Sequence, residues 1–184
     1  MAFLRGINVG GHRSFRPSVL AKALARYDVV NVGATGTFVI RRPITRARLR
    51  AEIARRLPFP AHIMMCDGRE LVALAARDPL RKAPRGPDVV RFVSIMAQRP
   101  RRPPRMPITL PTRGAWLVRI LAREDRFLVG VYRRRMKVIG LLGKMDTLFG
   151  VAVTTRGWST ITAVVKALRP RSNQTRRRPS RSNP

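Results

Sequence analysis

Two short segments near the ends of the chain hold residue types suited to binding an anion. In the first, Arg5 is followed by Gly6-Ile7-Asn8-Val9-Gly10-Gly11-His12-Arg13. Successive backbone N–H groups of such a loop can form an anion nest, with Arg5 and Arg13 as clamps and Asn8, Gly10 and Gly11 within it. The competing reading is that the glycines only let a strand bend into a loop. In the second segment, Thr154-Thr155-Arg156-Gly157-Trp158, the spacing predicts a helix start. Free N–H groups and the positive end of the helix dipole favour a phosphate or carboxylate there, completed by Arg156. Here the competing reading is a threonine cap beside Trp158 as a core anchor.

Other chemistries are poorly supplied. Gly140-Leu141-Leu142-Gly143-Lys144 lacks phosphate-loop spacing, and Met145 stands where a hydroxyl must hold magnesium. His12 and His62 have no ligating partners at metal spacing, so neither a metal nor a cofactor is expected. Glu124 and Asp125 fall in a turn, Asp67 and Glu70 have capping-box spacing, and the serines sit in no nucleophile elbow. The single cysteine, Cys66, excludes an intramolecular disulfide and reads as a small buried hydrophobe in a strand.

Charge is the other strong signal. Lys and Arg total 39 against 9 Asp and Glu, a net charge of +30, and all but five of the basic residues are arginine. A GC-rich genome explains arginine over lysine but not the scarcity of acids. A chain this positive attracts polyanions, with nucleic acid the first expectation. Arg133, Arg134 and Arg135 follow an apolar strand pattern, and Arg176, Arg177 and Arg178 lie in a terminal arm without acids. Phe92 and Trp116 fall on neighbouring expected strands, but no RNP-like pattern is present. Strand aromatics are more often core, so arginine contact with phosphate is favoured over base reading.

The elements that must position these residues follow from periodicity and punctuation. Residues 2–9 read as a strand central to its sheet, and 17–27 as a helix with Pro17 at its first position and Val19, Leu20, Ala23, Leu24 and Tyr27 facing the core. Residues 29–33 and 37–41 read as a hairpin around Gly36, Thr45 as the cap of a helix to about residue 57, 61–66 as a strand, and 71–77 as a helix. After a polar linker at 81–87, strands are expected at 89–97, 115–121 and 127–133, with an irregular Arg/Pro-rich stretch at 98–107. A short helix at 141–149 ending at Gly150 and a last helix over 156–168, capped by Thr154 or Thr155, complete the fold. Residues 169–184 lack periodicity and are expected to be disordered. The first half is therefore βαββαβ with a trailing helix, the order of a ferredoxin-like unit.

Leu4-Arg5-Gly6-Ile7-Asn8-Val9-Gly10-Gly11 and Thr154-Thr155-Arg156-Gly157-Trp158 together carry a family resemblance. The chain resembles the bacterial domain of unknown function 1697 family, whose members open on a strand ending in LRGINVGG and close on a TTRNW helix start. The resemblance spans approximately residues 2–168 and weakens in the middle. It implies an α+β fold of two ferredoxin-like subdomains but no agreed activity. Ala34-Thr35-Gly36-Thr37 stands where the family carries a QSGN-like turn, Gly157 replaces its Asn, and Ser159 replaces another.

The expected protein is thus α+β, with a first ferredoxin-like subdomain at residues 1–80, a linker at 81–87, a degraded second one at 88–168 and a basic tail at 169–184. Its expected role is noncatalytic polyanion binding in the cytoplasm, nucleic acid being the ligand. The alternatives are an enzyme or small phosphorylated-ligand binder using the glycine loop and the Thr-Thr-Arg segment, and a module that meets an acidic protein. No apolar run approaches the roughly 20 residues of a membrane span, and no signal peptide is visible at the N-terminus.

Overall fold

The computed structural model describes residues 1–7 and 15–169. Asn8, Gly10, Gly11, His12 and Arg13 of the first candidate loop, and Arg176, Arg177 and Arg178 of the expected tail, lie outside the described residues.

The first half supplies β1 (Ala2–Leu4), α1 (Pro17–Ala23), β2 (Val29–Val32), β3 (Thr37–Ile40), α2 (Arg46–Ala54), β4 (Ile63–Met65) and α3 (Gly68–Ala76). Its strands form an antiparallel sheet of order β2-β3-β1-β4, with β1 internal as expected. Pro17 begins α1, which gives way to a 3₁₀ turn at Ala25–Tyr27. Its core face is Leu20, Ala21, Leu24 and Tyr27, while Val19 and Ala23, expected inside, are exposed, Val19 by 57%. Thr45 caps α2, its side chain accepting from the Arg48 N–H at 3.3 Å. The capping box before α3 is present: Arg69 N–H donates to Asp67 at 3.0 Å and Asp67 N–H to Glu70 at 2.6 Å. In the β2–β3 hairpin, Gly36 has φ +67°, and a Cβ there would come within 2.6 Å of Ile7 and 2.9 Å of Leu4. Only glycine meets both conditions.

The second half supplies β5 (Val89–Met96), β6 (Ile108–Leu110), β7 (Val118–Glu124), β8 (Phe127–Arg133), α4 (Lys137–Gly143), α5 (Met145–Phe149), β9 (Val153–Gly157) and α6 (Trp158–Leu168). The sheet is antiparallel in the order β6-β7-β8-β5-β9. Leaving β6 aside, its order repeats that of the first sheet, strand for strand along the chain. The Arg/Pro-rich stretch that stands in place of a helix is irregular, as expected, but leads into the unforeseen edge strand β6. Gly150 ends α5 with φ +64°.

One correction bears on the site. Residues 153–157 form a strand, not the start of a helix, and α6 begins at Trp158 with Gly157 at its N-cap and no side-chain cap. Neither Thr154 nor Thr155 caps anything. The β-branched run Val153-Thr154-Thr155 suits a pleated strand, and pairing with β5 outweighs the capping tendency of threonine.

Both sheets are buried on both faces. Phe3, Val39 and Met64 of one sheet and Val93, Ile95, Phe127, Val129 and Val131 of the other enclose Leu71 and Leu74 of α3 with Ile161 and Val164 of α6. The alternate residues of the first sheet, Ala2, Leu4, Phe38, Ile63 and Met65, pack with α1 and α2. Those of the second, Phe92, Met96, Val118, Ile120 and Leu128, pack with α4 and α5. The order of layers is helices, sheet, helices, sheet, helices. Each fully buried aliphatic side chain contributes about 1.5–3 kcal/mol to this stack. The expected polar linker is tied in as well, since Ala83 lies buried in the central cluster. Among the described residues no helix is long and apolar enough to cross a membrane.

Candidate functional site

The two end motifs meet, and they meet inside the protein. Arg156, on the inward face of β9, is only 6% exposed. Its Nε donates to Thr37 Oγ1 at 2.8 Å. Nη1 donates to Thr154 Oγ1 at 2.9 Å and to the Thr155 carbonyl at 2.8 Å. Nη2 donates to the carbonyls of Leu4 at 2.7 Å and Thr35 at 2.8 Å. All five guanidinium protons are therefore engaged. The group lies 5.7 Å from the Phe3 ring, and among the described residues no carboxylate pairs with it. Burial lowers its pKa to about 10, which still leaves it charged at neutral pH. A buried cation held by neutral oxygens from both sheets is a fastener between them, and it retains no donor for a ligand.

The other described members of the expected anion sites, Arg5 and Thr155, are engaged too. The Thr155 hydroxyl lies 2.7 Å from the buried Ser94 hydroxyl, directly across the β5–β9 pairing. Arg5 forms an ion pair with Asp146 at 2.5 Å, and the other oxygen of that carboxylate accepts from Val153 N–H at 3.0 Å. Arg5 thus braces the first strand against α5 and β9.

The Arg133-Arg134-Arg135 run divides by environment. Arg133 pairs with Asp88 at 2.7 Å and lies over the Trp116 ring at 4.4 Å. Its hydrogen bond holds the Asp88 carboxyl below the usual carboxylate range. Arg135 is exposed. Arg134 is exposed as well and lines a cleft of about 450 Å³ with Arg85, Arg91 and Trp158. Among the described residues the side chains of Arg85, Arg91 and Arg134 make no ion pair or hydrogen bond.

Topology opens this cleft. Strand β9 stops at Gly157, paired with Phe92, and the chain turns into α6, so Val89, Val90 and Arg91 have a strand neighbour only on the β8 side. Trp158, the first residue of α6, is half-buried: it packs against the central core cluster, as a core anchor would, and also lines this cleft. Arg85 and Arg91 did not stand out in the sequence, since one falls in the linker and the other in a strand pattern. The available signal was that Arg91 occupies the face of β5 otherwise given to Val89, Val93 and Ile95. An arginine on an apolar face marks either a buried partner or an opening.

Burial pushes the Cys66 thiol up to about 12, Phe92 is fully buried in the core, and the Gly140–Gly143 segment is helical. Among the described residues no three His, Cys, Asp or Glu side chains are grouped to hold a metal ion.

The model of the family described as protein of unknown function (DUF1697) matches residues 1–108. The match covers the first half and β5 and ends at Ile108, the first residue of β6, and the closing Thr154–Trp158 motif lies beyond it. No curated protein and no solved structure matches the chain.

Proposed function

Because the chain belongs to the DUF1697 family, whose description carries no activity, we propose its function from its own surface: it is a noncatalytic polyanion-binding module with nucleic acid as its ligand. The observation that carries this reading is the disposition of charge. Six of the nine acidic side chains, Asp28, Glu52, Asp88, Glu124, Asp125 and Asp146, are already in ion pairs with arginines. Asp67 and Glu70 are spent on the α3 cap. The acids therefore neutralise a local minority of the 39 basic residues, and the remainder present uncompensated charge. Phosphate backbones satisfy such a surface through release of their condensed counterions.

The same proposal takes each half as a ferredoxin-like unit, residues 1–80 and 88–168. The repeated sheet order, β2-β3-β1-β4 and β7-β8-β5-β9, supports that reading.

Affinity for an oligonucleotide measured across a salt series tests the function. Log affinity should fall linearly with log salt, by about 0.7 per phosphate contact for a single strand and about 0.9 for a duplex. Scrambled sequences should bind nearly alike. A flat salt dependence, or tight binding confined to one sequence, would remove the proposal.

A further inference from the structure

We propose that the cleft between the open edge of β5 and the start of α6 is a single-strand subsite, in which one base stacks on Trp158 while Arg85, Arg91 and Arg134 hold the flanking phosphates. This inference rests on the polyanion reading above and names the form of nucleic acid it takes.

Four observations converge on this cleft. Its volume, about 450 Å³, falls in the range of small-molecule sites and accommodates a nucleotide. Three arginines line it without partners, whereas Arg5, Arg77, Arg99 and Arg133 are committed to acids. The chain has two tryptophans, and they differ in what covers them. The Trp116 ring already carries Arg133 at 4.4 Å and Arg119 at 5.7 Å, while among the described residues no cation covers Trp158. Finally, strand alternation turns the backbone of Val90 to β8 and that of Arg91 to the cleft side, where β9 has ended and the Arg91 N–H has no strand partner.

The other clefts lack this combination. One of about 640 Å³ has Arg99, Arg101 and Arg102, but Arg99 is tied to Asp125 and the lining aromatic, Phe149, is buried. Another, of about 730 Å³, has Arg77, Arg99, Arg101 and Arg123, but Arg77 and Arg99 are paired with Glu124 and Asp125 and its lining aromatic, Phe127, is buried. A duplex keeps its base faces stacked inside, so an aromatic platform beside phosphate-binding arginines selects an unpaired strand.

The test uses the full chain carrying Trp116→Phe, so that fluorescence reports Trp158 alone, titrated with oligothymidylate, a duplex of the same length and inorganic polyphosphate. Oligothymidylate should quench the emission and bind more tightly than the duplex, and polyphosphate should bind without comparable quenching. Trp158→Leu should weaken oligothymidylate binding about 5- to 150-fold, the range for loss of one base–aromatic stack, and leave polyphosphate binding unchanged. Arg91→Ala and Arg134→Ala should weaken both. Polyphosphate binding without quenching by oligothymidylate, or an equal loss of both ligands in a Trp158→Leu protein with unaltered urea unfolding, overturns the subsite and leaves the polyanion reading standing. Failure of the wild-type chain to bind either polyanion removes both. Quenching is read with Trp158 in place, so it decides the matter even where Trp158→Leu does not fold.

Discussion

Arg156 and the Arg85/Arg91/Arg134 cleft lie on either side of the point where β9 becomes α6, and they put the same side chain to opposite uses. Arg156 points into the space between the sheets, where five neutral oxygen contacts surround it. The cleft arginines stand at the edge that β9 abandons, where their side chains have no ion-pair or hydrogen-bond partner among the described residues. A guanidinium is costly to bury unless every proton finds an acceptor, and where every proton does so it becomes a structural fastener. Left at a rim beside an aromatic face, it keeps its donors for an anion. Position relative to the last β5–β9 pair, not residue type, separates the two roles.

The largest effect should come from the fastener. Arg156→Met fills similar space but removes the donors from three carbonyls and two hydroxyls, and it should cost about 3–5 kcal/mol in urea unfolding. Arg156→Lys, with three donors for five acceptors, should recover only part of that. A stable Arg156→Met protein that has lost polyanion binding would invert the comparison. Next in size is the turn that presents the Thr35 carbonyl to Arg156. Gly36→Ala combines a positive φ with a steric conflict against Leu4 and Ile7, and should cost about 1–3 kcal/mol. A neutral result would show that the turn can move without disturbing the fastener.

A smaller effect concerns Arg133, the arginine between the two extremes. The Asp88 carboxyl is held low mainly by its hydrogen bond from Arg133. A carboxyl with a depressed folded-state pKa stabilises the fold above its unfolded value, and that contribution disappears as pH falls through the folded value. Stability should therefore decline on acidification below about pH 4, and the decline should be shallower in Arg133→Met. An identical acid limb in both proteins would show that the pair does not hold the strand end. Smallest of all should be the stability effect at the cleft. Arg134→Ala should leave urea unfolding within about 0.5 kcal/mol of wild type while reducing the salt slope of oligonucleotide binding by about one contact. Substantial destabilisation would mean that the cleft arginines are fasteners too.

Much of the fold was legible because its signals are local. Pro17 at a first helical position, Thr45 as a cap, the Asp67–Glu70 box and Gly150 past a helix end each act within a few residues, and each stands where expected. The strand at 153–157 was missed because Thr-Thr before an apolar helix reads equally well as a cap and as a strand, and the deciding partner, β5, lies some 60 residues earlier. Edge strand β6 was missed because three residues between prolines carry no periodicity. For the candidate site, the sequence pointed to Arg134 but not to Arg85, Arg91 or Trp158 as its neighbours. Their convergence depends on where β9 stops.

By itself, the sequence determined the class of structure, the buried alternation of the strands, the family motifs and an excess of positive charge that the few acids cannot cancel. Those properties are sums over residue types or patterns of short period. Only the tertiary structure decided which arginines are spent. Beside the adjacent Thr154 and Thr155, the acceptors of Arg156 include Thr37, 119 positions away, Thr35, 121 positions away, and Leu4, 152 positions away, so its neighbours in the chain do not by themselves show that every donor is spent. Burial and hydrogen-bond saturation belong to the folded neighbourhood, and it is the pairing of β9 with β5, ending at Gly157 and Phe92, that places one arginine inside and leaves three at the surface.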